Sequence, residues 1–271
     1  MDAVLFQPSD LYIRKHDVNM CDAFYHEESR CWLFWTLDST FYVYLREIQM
    51  DSFCPEPRLD HVQVFGYFLC GVSGTTIYMY DWSTWALVYS HDYKQPILKF
   101  GLVHNDIYVL TNDNVLYKAS KVEQKNIHDL LCVPTQVFYH TSSRLCTPEM
   151  SVDAKYILSL FADDEHIYAL RNRKRVDYWE HTLAHRQTIH IPSNIPIQKI
   201  QRVESFFILQ TLNDIYILND EGILLYHKTY EETTWLVLCN GYLCVSSDDA
   251  TRIYDFKRAC TCFQLQNNDI V

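Results

Sequence analysis

Gly66-Tyr67-Phe68-Leu69-Cys70-Gly71-Val72-Ser73 is an apolar, β-prone run, and Gly74-Thr75 turns the chain into Thr76-Ile77-Tyr78-Met79-Tyr80-Asp81. A polar step from Trp82 to Thr84 leads on to Ala86-Leu87-Val88-Tyr89-Ser90. Aromatic and β-branched residues favour strands, and turns this short can join them only as an antiparallel meander. Such a unit has an apolar face that it cannot bury alone. The rest of the chain must therefore supply copies for it to pack against.

The copies are there. First strands are expected near Cys21, His61, Ile97, Ile157, Ile197 and Trp235, at separations of 40, 36, 60, 40 and 38 residues. The 60 reads as one period plus an insertion of about 20 residues, and a period near ~40 is the spacing of four-stranded β-propeller blades. Three segments repeat most visibly: Asn105-Asp106-Ile107-Tyr108-Val109-Leu110, Glu165-His166-Ile167-Tyr168-Ala169-Leu170 and Asn213-Asp214-Ile215-Tyr216-Ile217-Leu218. An aromatic (Tyr117, Tyr178, Tyr226) follows each Tyr nine or ten residues later. Gly66-Tyr67-Phe68-Leu69-Cys70 likewise matches Gly241-Tyr242-Leu243-Cys244. No segment sustains a helical period, so helix is expected to be minimal.

These readings predict an all-β chain forming one propeller of six or seven four-stranded blades. The blades are placed at 19–56, 58–95, 96–134, 156–192, 195–231 and 233–266, with an insertion at 135–155. Residues 1–18 hold two short β-prone pieces, Val4-Leu5-Phe6-Gln7 and Leu11-Tyr12-Ile13-Arg14. They are expected to close the last blade, because its strand edge is otherwise open.

Composition supports a large β domain. The 271 residues are 48% hydrophobic, with 20 Tyr, 14 Phe and only 6 Gly, so Asn-Asp and Asp-Asp pairs are expected to take glycine's place in turns. A net charge of −11 disfavours non-specific contact with nucleic acid or anionic membrane. The N-terminal residues lack the basic and apolar regions of a signal peptide, and no window has the ~18 apolar residues of a membrane span. The 10 Cys lie scattered, mostly in apolar strands, as reduced packing thiols do. A cytoplasmic or nuclear protein is expected, with no membrane contact.

Val245-Ser246-Ser247-Asp248-Asp249-Ala250-Thr251-Arg252-Ile253-Tyr254-Asp255 resembles a WD40 repeat, with its Ser strand, acidic turn and Ile-x-aromatic-Asp strand. Ser73 to Asp81 has the same cadence, Tyr80-Asp81 standing where Trp-Asp would be. The chain contains no Gly-His and no Trp-Asp dipeptide, so the Asp–His–Ser–Trp hydrogen-bond network of that family is not assembled as such. The resemblance is WD40-like and implies a scaffold with no activity of its own, binding proteins or peptides on its faces.

The candidate sites reduce to two turns. Cys239, Cys244, Cys260 and Cys262 lack the paired knuckles of a zinc site, and His181, His185 and His190 lie outside any helix that would give them a common face. The acidic groups Asp163-Asp164-Glu165, Glu231-Glu232 and Asp248-Asp249 fall at turns, without calcium-loop spacing. No nucleophile, metal or phosphate-loop motif stands out, so no enzyme activity, metal or cofactor is expected. Arg171-Asn172-Arg173-Lys174-Arg175 is different: four cations on one expected turn of an acidic chain. Arg171, Arg173, Lys174 and Arg175 are expected to be solvated at the loop tip, either as a contact for an acidic or phosphorylated peptide or RNA, or as an ordinary solvated turn or a nuclear-import run. Trp82 and Trp85 flank another turn and are candidate interface anchors.

The functional expectation is a non-catalytic scaffold subunit of an intracellular multi-protein complex, monomeric within it and bound to other protein subunits. The alternatives are an accessory subunit that helps an enzyme hold RNA or another polyanion, and a propeller enzyme with a site in its central channel.

Overall fold

The computed structural model describes residues 12–14, 20–45, 48–163, 165–171, 175–184, 187–191, 195–203, 205–230, 235–239, 242–246 and 250–255. These form seven four-stranded antiparallel sheets. Six run in chain order, at residues 20–53, 61–92, 97–125, 129–153, 157–190 and 199–229. The seventh combines Trp235–Cys239, Tyr242–Ser246 and Ala250–Asp255 with Tyr12–Arg14 as its outer strand. No described residue is helical, and no helix among them is long and apolar enough to cross a membrane. The fold is an all-β propeller.

Two segments depart from the sequence expectation. Residues 135–155, expected as an insertion, carry three strands of a sheet of their own: Gln136–His140, Arg144–Cys146 and Ser151–Asp153. The first strand of that sheet is Asp129–Val133, which was expected to close the sheet before it. Lys121–Lys125 fills that closing position instead, exposed at every residue. A strand with no buried face gives no hydrophobic signal, so its residues pattern as a loop. The end of the last expected blade, residues 256–266, lies outside the described residues, as does the N-terminal piece 4–7.

The chain divides into two units, and each has its own packed sheets. Residues 55–190 hold the second to fifth sheets. There Cys70, Val72 and Ile77 pack on Ile97, Phe100 and Val109; Leu110 and Leu116 on Leu130 and Val137; Phe138 and Leu145 on Ile167 and Trp179. The other unit, residues 1–54 with 191–271, holds the first, sixth and seventh sheets. In it Ile208 and Ile217 pack on Leu238 and Leu243, and Trp32 and Phe34 on Cys244 and Ile253.

This face-to-face arrangement explains the strand patterns. Second strands such as Asp106–Thr111 are buried from Ile107 onward because neighbouring sheets cover both faces, Ile107 and Val109 packing on the sheet before and Tyr108 and Leu110 on the sheet after, so they read as continuous apolar runs. Fourth strands such as Ile48–Phe53 face solvent. They also carry a recurrent register shift, which falls at Met50, Val88, Glu123 and Leu225 in four different sheets. A bulge there twists the outer strand and blunts an edge open to unwanted pairing.

Tyr12–Arg14 protects such an edge, pairing Tyr12 with Arg252, Ile13 with Thr251 and Arg14 with Ala250. Deleting residues 1–14 is expected to lower stability by about 1–2 kcal/mol, from the lost ladder bonds, and to promote aggregation through the bared strand. Urea denaturation and light scattering check this. A truncated chain as stable and as monodisperse as the whole would show that the pairing contributes nothing.

Candidate functional site

The basic turn joins His166–Arg171 to Arg175–Glu180, and its register organises the charges. Arg171 pairs across the strands with Arg175, and Ala169 with Asp177, whose partner on the other side is Thr188. Residues two apart on a strand share a face, so Arg171, Arg175 and Asp177 lie together on one face of the sheet. Asp177 is fully buried. Arg171 Nε lies 2.8 Å from its Oδ2 and Arg175 Nε 2.8 Å from its Oδ1. Thr188 Oγ1 donates to Oδ1 at 2.7 Å.

The two arginines therefore neutralise a buried carboxylate of their own sheet, which corrects the expectation of a solvated turn. Arg171 is 14% exposed and Arg175 35%. Two guanidiniums share one carboxylate, and Arg175 is the more exposed of them. Arg173 and Lys174 lie outside the described residues.

Trp82 is not a surface anchor. It is buried, its Nε1 donates to the Gly66 carbonyl at 2.8 Å, and its ring stacks on Tyr67 at 5.7 Å. It clamps the turn between Phe65 and Phe68, and Tyr67 is the aromatic that reaches solvent there. Trp85 is half-buried, with φ at 58°.

The remaining candidates take structural roles where they are described. Asp163 accepts from the Glu165 and His166 amides and from the Tyr168 hydroxyl, which makes it a turn-forming carboxylate. His181 donates a ring N–H to the Asp163 carbonyl at 3.3 Å, and His190 ends an outer strand, exposed. Cys244 is buried in the core, and burial pushes the Cys70 thiol up to about 12. Among the described residues no group of three or more His, Cys, Asp and Glu is placed to hold a metal ion. His185, Cys260, Cys262 and the acidic groups at 231–232 and 248–249 lie outside the described residues, as does the Cys239 side chain.

One repeated device escaped the sequence reading. A Thr at or just past the end of the second strand donates its hydroxyl to an Asp in the following turn or at the start of the third strand: Thr36 to Asp38, Thr111 to Asp113 at 2.6 Å, and Thr211 to Asp214 at 2.9 Å. The Thr36 hydroxyl holds the Asp38 carboxyl below the usual carboxylate range. The signal was available as Thr36-Leu37-Asp38, Thr111-Asn112-Asp113 and Thr211-Leu212-Asn213-Asp214.

At the same end of the third to fifth sheets, Asp129 ties neighbouring first strands together. Lys99 Nζ lies 2.5 Å from its Oδ1, and its Oδ2 accepts the Leu160 N–H at 3.1 Å. Next to it His140 is buried and donates from Nδ1 to the Thr141 carbonyl at 2.9 Å. Burial holds this imidazole below its ordinary range, helped by His128 and Lys99 and opposed by the Thr141 bond and Asp129.

A depressed histidine pKa means that the unfolded chain takes up the proton first. The contribution to stability is complete above the unfolded value and is lost as pH falls through it toward the folded value. Wild type is expected to lose more stability between ~pH 7.5 and ~pH 5.5 than His140→Gln does, as read from urea midpoints across that range. Parallel pH profiles would show His140 to be inert.

No protein-family model matches the sequence, and no match to a curated protein was found. Solved structures are similar to it. The β-propeller domain of Myceliophteria_thermophila Cps50 (Swd1) has a TM-score of 0.66 at 7% identity, over 89% of this chain and 98% of that one. BBS1N, crystallised in complex with ARL6DN, has a TM-score of 0.61 at 9% identity, over 90% and 96%. BamB from Moraxella catarrhalis has a TM-score of 0.56 at 10% identity, over 86% and 84%. At such identities the likeness establishes the propeller fold and nothing beyond it.

Proposed function

We propose that this chain is a non-catalytic interaction scaffold, a subunit of a multi-protein assembly in the cytosol or nucleus, and that its output is contact with other proteins. The observation that carries this reading is the fold itself: stacked sheets with solvent-facing turns. A propeller of matching extent, BBS1N, is described in complex with a protein, ARL6DN. Asp163, Asp177 and Trp82 each hold a turn or a sheet together.

Within this reading the basic turn is a contact for an acidic partner, through Arg173 and Lys174 with Arg175 beside them. Trp85 is a lesser candidate in a second turn. Purification of the tagged chain from its native cell, followed by size-exclusion chromatography and mass spectrometry, tests the reading. A stoichiometric protein partner that survives the column is expected. A chain that elutes alone at near-native concentration, even at low salt, would overturn it.

A further inference from the structure

In the first, third and fourth sheets the hairpin from first to second strand carries no Tyr, Trp or Phe at its tip. The tips there are Glu27-Glu28-Ser29-Arg30, His104-Asn105 and Pro134-Thr135. The second sheet differs. Its tip is Gly66-Tyr67, with Tyr67 43% exposed. The turn from third to fourth strand lies at the same end and runs from Trp82 to Trp85. Trp85 is half-buried with φ at 58°, a strained setting for a bulky residue, and such outliers gather at functional positions.

Hydrogen bonds join the two turns into one ledge. The Trp82 N–H donates to the Tyr67 carbonyl at 3.1 Å and its Nε1 to the Gly66 carbonyl at 2.8 Å. The two rings stack at 5.7 Å and 26°. Trp82 is buried, so it is the floor and Tyr67 the ring that reaches solvent. The Thr84 N–H closes the second turn on the Asp81 carbonyl at 3.2 Å, which keeps Asp81, Trp82 and Trp85 within a few residues' reach of one another.

Asp81 is the one charged residue of these turns. Its Oδ1 accepts from the Ser83 amide at 2.9 Å and from the Ser83 hydroxyl at 2.6 Å. Both donors are neutral, so the negative charge remains, and among the described residues no cation pairs with it. The second sheet could not supply one, because His61 to Asp92 contain no Lys or Arg. Asp92, Asp129 and Asp177 each have a Lys or Arg nitrogen within 2.8 Å.

We propose that Tyr67 and Asp81, with Trp85 beside them and Trp82 beneath, form a docking site for an arginine in a basic segment of a partner protein. A guanidinium is planar and charged, so one group both stacks on an aromatic face and pairs with a carboxylate. Lysine brings the charge without the flat surface, and a polyanion would be repelled by Asp81. This deepens the scaffold reading and rests on it.

The test uses the full chain and fluorescent probes: a peptide of Arg interspersed with Gly and Ser, the same peptide with citrulline or with Lys for Arg, a proline-rich peptide and a single-stranded RNA. Anisotropy is expected to show the Arg peptide ~10-fold tighter than the citrulline, proline-rich and RNA probes and ~3-fold tighter than the Lys peptide, weakening as salt rises. Asp81→Asn keeps an oxygen for Ser83, so it should leave the melting temperature unchanged while weakening the Arg peptide ~5-fold or more. Tyr67→Ala should weaken it as much, and Tyr67→Phe, which keeps the ring, should not. Glu123→Gln removes an equal charge from the exposed outer strand of the third sheet and should change binding less than ~2-fold.

No binding of the Arg peptide, equal binding of its citrulline or Lys form, or tighter binding of the proline-rich peptide or RNA would each overturn the proposal. Equal weakening by Asp81→Asn and Glu123→Gln would do so too, since it would mean only a general attraction to a chain of net charge −11. Indifference to Tyr67→Ala would remove the stacking. If Tyr67→Ala lowers the melting temperature, Asp81→Asn against Glu123→Gln decides the matter. Self-association of wild type that Asp81→Asn abolishes would make the occupant a second copy and overturn the proposal. If the native complex forms equally well with Asp81→Asn and Tyr67→Ala, the scaffold reading stands and this site falls. If wild type forms no complex, the scaffold reading falls with it.

Discussion

Asp177→Ala is expected to destabilise the protein by about 3–5 kcal/mol, the range for removing one partner of a buried ion pair. The carboxylate is fully buried, with a guanidinium 2.8 Å from each oxygen. Its removal leaves two cations on one sheet face, and Arg171, at 14% exposure, has little water to replace the lost charge. Arg171→Ala should cost less, because Asp177 keeps Arg175 and the Thr188 hydroxyl. Arg175→Ala should cost least, since solvent already screens a side chain 35% exposed. Replacing all three by Met or Leu should recover most of the loss, because an apolar set avoids the desolvation that the charges must overcome. Urea midpoints at constant m read this series. An Asp177→Ala shift within about 0.5 kcal/mol would show that the cluster is dispensable.

The same geometry revises what the basic turn can tolerate. Four unpaired cations at a solvated tip could be replaced at no more than about ±0.5 kcal/mol each. Arg171 and Arg175 cannot, because they hold Asp177. A variant meant to separate binding from folding must therefore leave Arg171 and Arg175 in place.

Gly101→Ala is expected to cost about 1–3 kcal/mol or more by overpacking. A Cβ built on Gly101 would lie 2.5 Å from the Cys132 Sγ and closer still to the Cys132 Cβ. These residues belong to the first strands of adjacent sheets, Ile97–Val103 and Asp129–Val133, and neither strand can yield without disturbing the core beside it. The need for glycine is one of space, not of backbone angle. Cys132→Gly removes both offending atoms and leaves the Cys132 Cα at 3.6 Å, an ordinary contact. The double variant should therefore be more stable than Gly101→Ala alone, a coupling that a double-mutant cycle measures directly. If the two costs simply add, the close approach does not limit stability. Gly71 repeats the arrangement against Leu59, with an added Cβ 2.5 Å from Cδ1 and 2.9 Å from Cβ.

The strand content, the period and the absence of helical patterning were legible in the residues because each is a local property. Second strands such as Asp106–Thr111 announce themselves as apolar runs between Asx-rich turns, since burial on both faces leaves no polar side to alternate with. The closing role of Tyr12–Arg14 was legible for a related reason: a meander that ends in an open edge needs one more strand.

Tertiary structure alone decided the rest. Lys121–Lys125 is a strand because it pairs with Val115–Lys118, and none of its side chains says so. Without it the next sheet lost its first strand to the sheet before, and the other three looked like an insertion. The basic turn was found as a run of charge, but its meaning depended on Asp177, which cross-strand register places beside two arginines. Leu98 and Leu158 look like ordinary core residues in the sequence. A register shift of one residue, set by pairing with a neighbouring strand, turns them toward solvent. Which residues form strands is set by local preference, but which side chains meet, and which face water, is set by register between strands distant in the chain.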